Sequence, residues 1–349
     1  MQELEELYIK CITMTNTEKW ESPQYFKKQI NKAGRAIAKG EYGESLKILH
    51  NWRASHAYPL QRTYEQLKSL FPTKNVVQRL KRMESIVDKL ERFPTMRLSS
   101  MQDLGGCRII VDSVEEVYQT VEVCKEHLSG LTLLRETDYM KEPRSSGYRS
   151  YHMIYEYKEG DCNGIFLEIQ VRTKVQHSWA TSVEILGNGM GENYKSGRGS
   201  EEMKRFLFIT SSILAKQEGT NGCEENPSAL IEELARIEDS CGILRLAKGI
   251  TILESTDTLE RGDDLFYVVI TDVKSGTVKI KTFEQTQVMA AITFYNSLEQ
   301  RVKGDEVVMV SAKSMQALRE AYPNYFYDMR DFTEFFQKLL NNYHHKEKG

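Results

Sequence analysis

No apolar run in the 349 residues approaches the roughly 18 needed to cross a bilayer, so no membrane span is expected. The N-terminal stretch MQELEELYIKCITMTNTEKW is acidic and lacks the basic-then-apolar pattern of a signal peptide, which predicts a cytoplasmic protein. The six cysteines are scattered, with no Cys-x-x-Cys and no paired Cys/His spacing. That argues against a zinc site and, in a cytosolic setting, for reduced structural thiols. There is no excess of either charge: 47 Lys+Arg stand against 50 Asp+Glu, a net of −3. A generic nucleic-acid coat is thereby disfavoured, although a local basic groove is not. Internal repeats and low-complexity tracts are absent as well.

What remains is ordinary globular composition, 28% charged and 40% hydrophobic. Wholesale disorder, collagen and a coiled-coil rod are excluded on that ground, and the length suggests about two domains. The charge is unevenly spread. Residues 74–97 hold seven basic side chains (Lys74, Arg79, Lys81, Arg82, Lys89, Arg92, Arg97) against three acidic ones (Glu84, Asp88, Glu91).

Ser22-Pro23 reads as N-cap and N1 of a helix that stops near Gly40, and a second helix is expected over 44–54, with Tyr58-Pro59 as punctuation after it. From Asn75 to Arg92 the apolar residues Val76, Leu80, Met83, Ile86, Val87 and Leu90 have helical spacing, and the opposite face is basic. CRIIVD (107–112) reads as a buried strand, followed by a helix over 114–128 and by two strands, YRSYHMIYEY (148–157) and IFLEIQVRT (165–173). This order predicts an α+β fold, a mixed β-sheet flanked by helices. The Gly-rich segment 187–199 reads as a loop, with helices over 201–217 and 227–250. From Asp264 a small unit is expected: a hairpin turning at Lys274-Ser275-Gly276, then a helix (287–301), a strand (306–311) and helices over 314–321 and 332–342.

Chemistry concentrates in four segments. In IFLEIQVRT, Glu168, Gln170 and Arg172 share one strand face and Leu167, Ile169 and Val171 the other. A solvated polar face would look the same. In DYMKEPRSSGYRSYH (138–152), Arg144 and Arg149 are suited to phosphate and Tyr148 to base stacking, as they would also suit a solvated turn. In RLKRMESIVDKL (79–90), Arg79, Lys81 and Lys89 fall on one broad helical face, a pattern that surface helices share. In QDLGGCRI (102–109), Asp103 and Arg108 flank a Gly-Gly turn.

As an ordered set, these four segments resemble the RelA/SpoT-type pyrophosphokinase (alarmone synthetase) family. RLKRMESIVDKL is similar to its R-x-K-S-x-x-S-I-x-x-K segment, QDLGGCRI to its D-x-x-G-x-R entry, DYMKEPRSSGYRSYH to its guanine loop, and LEIQVRTKVQHSWA to its E-x-Q-x-R-T strand and following helix. The resemblance implies the family's nucleotidyltransferase-like synthetase fold and transfer of a pyrophosphoryl group from ATP to a ribose 3′-hydroxyl, with AMP released. By position, Arg79 and Arg108 would sandwich adenine, and Lys81 and Lys89 would hold phosphates. Asp103 and Glu168 would serve Mg²⁺ and catalysis, and Arg144, Tyr148, His152 and Gln170 the acceptor. Three departures bear on the acceptor. Thr137 stands where many members have a basic residue, Arg82 replaces a small residue, and Glu184-Ile185 replaces Glu-His. No His-Asp dipeptide of the family's hydrolase occurs.

EAYPNYFYDMRDFTEFF (320–336) carries a Tyr-x-x-Tyr element, Tyr322 and Tyr325, which by itself suits a rigid turn. It also resembles the C-terminal pseudo-zinc-finger element of CapRel-type fused toxin-antitoxin proteins. That resemblance implies three parts: an N-terminal helical region (1–74), a synthetase-like toxin (75–250) and a small α/β antitoxin domain (255–349). The acceptor would be the tRNA 3′ CCA end, the trigger a phage major capsid protein, and the inhibitory group Tyr325 or Tyr322 lodged between Arg79 and Arg108. The alternative is a small (p)ppGpp synthetase using GDP or GTP. Retention of both Asp103 and Glu168 speaks against a domain that only binds nucleotide.

Overall fold

The structure, a computed structural model, describes residues 20–190, 199–220, 222, 225–244, 247, 265–272, 277–301, 306–312, 314–322 and 329–347. Three helices open the described chain, α1 (Lys27–Ile37), α2 (Gly43–Ala54) and α3 (Ala57–Leu70). Ser22-Pro23 does not start α1. The Asn51 amide donates to the Ser22 carbonyl (3.1 Å) and its oxygen accepts from the Gln24 amide (3.0 Å), tying this stretch to α2 instead. Pro59 does not punctuate either, because it lies in the first turn of α3, where a missing N–H costs nothing.

The expected helix over 75–92 divides into strand β1 (Asn75–Leu80) and helix α4 (Met83–Arg92). The spacing misleads because Val76 and Leu80 are four apart, an interval that is both even and near one helical turn. After β2 (Gly105–Val111) come α5 (Val114–His127), capped by the Ser113 hydroxyl, and β3 (Leu131–Asp138), a strand the sequence reading lacks. β4 (Tyr151–Tyr157), β5 (Phe166–Thr173), α6 (Lys174–Met190), α7 (Glu201–Gln217) and α8 (Pro227–Cys241) follow. The expected loop from 187 thus begins as helix, and residues 191–198 lie outside the described residues. Gly242, at φ 61°, ends α8 well short of residue 250. The C-terminal elements are β6 (Leu265–Asp272), β7 (Thr277–Phe283), α9 (Val288–Arg301), β8 (Glu306–Ala312), α10 (Met315–Ala321) and α11 (Arg330–Glu347). The hairpin is observed, and its turn residues lie outside the described ones, as does Tyr325.

The eight strands among the described residues form one sheet in the order β3-β4-β5-β2-β1-β8-β6-β7, with β2 and β5 parallel and every other neighbour antiparallel. β8 pairs with β1 at Gln78↔Ser311 and Arg79↔Val310, so the C-terminal strands continue the N-terminal sheet. Alternation sorts the two faces. Val76, Cys107, Ile109, Leu167, Ile169 and Val171 join the main core under α1 to α5, while Arg79, Arg108, His152, Glu168, Gln170 and Arg172 line the opposite face. Val77 and Ile110, on that second face, pack with Tyr267, Val310, Leu318 and Tyr322. A further core lies among α6, α7, α8 and α11 and includes Trp179, Phe206, Leu234 and Phe336.

One buried cation joins three parts of the molecule. Arg53 of α2, 2% exposed, donates through Nε to the Lys81 carbonyl (2.7 Å), hydrogen-bonds the Tyr295 hydroxyl of α9 and lies 4.9 Å from that ring. At the other side, Phe336 of α11 is fully buried and stacks with Phe332 (4.9 Å) against the α6–α8 core. Phe336→Ala should lower stability by about 3 kcal/mol, as for other Phe-to-Ala changes in packed cores, read as a fall in the denaturation midpoint. An unchanged midpoint would mean that α11 does not pack there in solution.

Candidate active site

A cleft of about 960 Å³ opens on the charged face of the sheet. Its walls bring together the residues that the family resemblance assigned to ATP, metal and acceptor: Arg79, Lys81, Lys89, Asp103, Arg108, Arg144, Tyr148, His152, Glu168 and Gln170. These come from β1 and the residue after it, α4, the entry to β2 and β2 itself, the turn before β4, and β4 and β5. Arg79 and Arg108 are on adjacent strands, where Val77 pairs with Arg108 and Arg79 with Gly106. Gly106 is required by close approach, since a Cβ there would stand 2.8 Å from the Glu168 carbonyl oxygen.

The charged groups are arranged in pairs. Asp103 receives Lys81 Nζ at one oxygen (3.0 Å) and Lys89 Nζ at the other (2.8 Å). Burial opposes ionisation of Asp103, but the two ammonium groups outweigh it and hold the carboxyl well below the usual range. Burial also lowers the Lys81 pKa, against the pull of Asp103. Glu168 receives His152 Nδ1 (2.8 Å) and Gln170 Nε2 (2.6 Å). Burial would raise its pKa, yet the charge and hydrogen bond of His152 bring it down to about 2. Burial likewise disfavours charge on His152, and its neighbours Tyr148 and Glu168 nevertheless lift it to about 9.

The aromatic side of the cleft is built on the turn before β4. Gly147 has φ 89°, open to glycine and strained for other residues. Arg144 lies 4.7 Å from the Tyr139 ring and 5.5 Å from the Tyr148 ring, and donates to the Tyr139 hydroxyl (2.9 Å). Arg149, which the sequence reading placed with Arg144 on phosphates, is 4% exposed and turned away from the cleft. It donates to the Gly147 carbonyl (3.0 Å) and to Ser211, and so holds the turn against α7. Arg79, Lys81 and Lys89 do not share a helix, because Arg79 is on β1, Lys81 follows it and Lys89 is on α4.

Two residues went without a role in the sequence reading. Arg172 lines the cleft and donates to Gln170 and Tyr148; its place on the Glu168/Gln170 face was the available signal. His177 of α6, 4% exposed, places Nε2 2.9 Å from the Glu320 carbonyl. Arg108 donates to the neighbouring Ala321 carbonyl (3.0 Å), and its guanidinium lies 5.3 Å from the Tyr322 ring, which is 2% exposed. The last carbonyl of α10 and the ring after it therefore meet Arg108 directly, and the carbonyl before it meets His177. Burial, then the charge of Arg172, lowers the Arg108 pKa to about 10, so it remains a cation at neutral pH.

No cluster of three or more His, Cys, Asp or Glu placed to hold a metal ion occurs among the described residues. Mg²⁺ in phosphate chemistry, however, is usually held by one or two carboxylates plus substrate oxygens. Asp103 and Glu168, facing one cleft, fit that donor set. No helix among the described residues is long and apolar enough to cross a membrane.

A cleft with clustered cations, two carboxylates and half-buried aromatic rings suits chemistry on a phosphorylated substrate. The description "Region found in RelA / SpoT proteins" matches residues 78–195. GTP pyrophosphokinase YjbM of Bacillus subtilis is 32% identical over 162 residues, 44% of this chain and 72% of the relative. GTP pyrophosphokinase YwaC of the same organism is 32% identical over 130 residues, 35% of this chain and 61% of the relative. Among solved structures, small alarmone synthetase 1 from B. subtilis bound to its product pppGpp is 27% identical, covering 46% of this chain and 90% of that one, with a TM-score of 0.38. A GTP pyrophosphokinase family protein from Streptococcus pneumoniae is 26% identical, covering 58% and 96%, with a TM-score of 0.40. The chain belongs to the RelA/SpoT family. It is a pyrophosphokinase, with ATP as donor.

The ion pair at the centre of the cleft has a defined pH window. His152, at about 9 against 6.5 for a free histidine, stabilises the fold fully below pH 6.5 and loses that contribution as pH rises through 9. Glu168, at about 2 against 4.5, contributes fully above pH 4.5 and loses it as pH falls through 2. An NMR titration should show the His152 ring keeping its proton to about pH 9. In Glu168→Gln the midpoint should move back toward 6.5, and a wild-type midpoint already there would mean that the pair does not form in solution.

Proposed function

We propose that the chain is an autoinhibited toxin, a pyrophosphokinase that transfers pyrophosphate from ATP to the 3′-hydroxyl of the tRNA CCA end and so blocks translation. Residues 255–349 act as its antitoxin, and binding of a phage major capsid protein to the open form releases it. The observation that carries this reading is Arg108, whose guanidinium faces the Tyr322 ring and the Ala321 carbonyl. Arg108 is the arginine that the family resemblance assigns to adenine. An aromatic ring and a carbonyl stand there in place of the base.

In the open form, Arg79 and Arg108 hold adenine between planar guanidinium faces. Lys81 and Lys89, both on Asp103 in the closed form, turn to the phosphates and free that carboxylate. Mg²⁺, when held by Asp103 and Glu168, supplies neutralisation of the triphosphate charge. Tyr148 stacks on the acceptor base, Gln170 and His152 orient the acceptor, and Glu168 aligns the attacking hydroxyl. A carboxylate near pKa 2 is a weak base, which suits a reaction that depends on positioning and charge more than on proton abstraction.

Thr137, on the cleft wall where many relatives have a cation, supports tRNA as acceptor. A CCA end carries one phosphodiester per nucleotide, whereas GDP or GTP brings two or three clustered phosphates and needs more positive charge. The second reading, a GDP or GTP acceptor, is favoured by the name of the relatives YjbM and YwaC, GTP pyrophosphokinases.

A ring against a guanidinium is worth about 0.5–2 kcal/mol, so Tyr322→Ala should raise apparent ATP affinity about tenfold and make expression toxic without phage. Tyr322→Phe, which keeps the ring, should stay closed. Normal growth and unchanged ATP affinity of Tyr322→Ala would remove the autoinhibitory reading. With labelled ATP and Mg²⁺, label should pass to deacylated tRNA, more so with capsid protein, and Asp103→Asn should reduce transfer about 100-fold or more. Label entering only GDP or GTP would replace the tRNA reading by the second one.

A further inference from the structure

Lys81 stands in the turn between β1 and α4, and its backbone is held on two sides. Its N–H donates to the Leu104 carbonyl (2.7 Å), the residue after Asp103, and its carbonyl accepts from Arg53 Nε (2.7 Å). That carbonyl lies past the β1–β2 register, which ends at Leu80↔Gly105, and one residue before Arg82, the N-cap of α4. Neither the ladder nor the helix supplies its donor. The Arg53 guanidinium does, in a charge-assisted hydrogen bond. From the position so fixed, Lys81 Nζ reaches Asp103 at 3.0 Å.

Arg53 is in turn placed by the C-terminal elements. Both it and Tyr295 of α9 are buried, the Tyr295 hydroxyl accepts from Arg53 Nη2, and the ring lies 4.9 Å from the guanidinium. The donors of a guanidinium sit in a rigid planar fork, so a bond at Nη2 restricts where Nε can point. Tyr295 is itself fixed in the core of the C-terminal elements, with Phe266, Ala291, Phe294 and Leu298. We propose that Arg53 is a positioning residue for Lys81 and that Tyr295 orients Arg53 for that task. The C-terminal elements then act on the cleft with two opposite signs. Around Tyr322 they meet Arg108 and oppose ATP, whereas through Tyr295 they support Lys81 and favour it. Displacement of the segment around Tyr322 with α9 left in place is therefore the arrangement that binds ATP best.

The affinity part of this inference rests on the proposed role of Lys81 at phosphate, and the structural part does not. Two measurements separate them. The first is binding of a methylene-bridged, non-hydrolysable analogue of ATP, with Mg²⁺, to the full-length protein carrying Tyr322→Ala. Arg53→Met, which keeps an unbranched chain and has no donor, should weaken binding about tenfold, and Tyr295→Phe, which keeps the ring, about threefold. If the C-terminal elements only inhibited, loosening them at Tyr295 would strengthen binding instead. Lys81→Met should also weaken binding, and adding Arg53→Met to it should cost nothing further, because Arg53 acts through Lys81. The second measurement is hydrogen exchange. Peptides spanning 78–86 should exchange about tenfold faster in Arg53→Met and less so in Tyr295→Phe, with peptides of α6 and α7 unchanged. Unchanged exchange at 78–86 would overturn the proposal. So, where Lys81→Met weakens binding, would additive losses in the double variant, or equal or tighter binding in Tyr295→Phe. Should Arg53→Met fail to fold, Tyr295→Phe carries the same comparisons, alone and with Lys81→Met. Undiminished binding in Lys81→Met would remove its phosphate role from the proposed function, and the exchange result would still decide the role of Arg53.

Discussion

The alternation of side chains along β1 is the constraint from which the rest of the molecule follows. Six residues must satisfy a core on one face, a charged cleft on the other and a neighbouring strand at each edge. Val76 enters the core beneath the helices, Val77 the opposite one, and Arg79 the cleft. β2 and β8 take up the hydrogen bonds on either side. A shift of one residue would exchange every face. The register that places Arg79 beside Arg108 is therefore the same one that joins the C-terminal strands to the catalytic sheet.

The cleft concentrates cations, and its physics is that of compensation. Arg79, Arg108 and Arg172 share one sheet face, and the charge of Arg172 is among the causes of the lowered Arg108 pKa. A triphosphate would relieve that repulsion. The Ala321 carbonyl and the Tyr322 ring supply only partial negative charge to Arg108. Such contacts are weak beside a bound polyanion. The Arg53–Tyr295 contact and the packing of α11 on the α6–α8 core are two places that hold the C-terminal elements down.

Legibility in the sequence followed the strength of the burial signal. β5 was readable because Leu167, Ile169 and Val171 are all buried and alternate with the polar Glu168, Gln170 and Arg172. The β6–β7 hairpin and most helix limits were readable from the same periodicities, and the structure caps three of those helices with Ser200, Asn226 and Ser314. β3 was not, because an edge strand is covered on one side, Leu134 is 46% exposed, and the register shifts between Leu133 and Arg135. β1 was misread because the even four-residue interval serves a strand and a helix equally. Among the cleft residues, those with a distinctive neighbour pattern were found. Arg149 was misplaced because a cation in a Gly-containing turn carries no sign of which way it points.

By itself the sequence determined the chemistry available: two carboxylates, a set of cations and aromatic faces in an order that resembles one family, because residue type and spacing survive without coordinates. It also determined most of the elements, since periodicity is local. Only the tertiary structure decided that Lys81, just past β1, and Lys89 of α4 converge on Asp103, that Arg172 closes a ring through Gln170, Glu168, His152 and Tyr148, and that Arg108 meets Tyr322. Each of these joins residues far apart in the chain or on different strands. Their proximity follows from strand order and register, which a one-dimensional pattern does not contain.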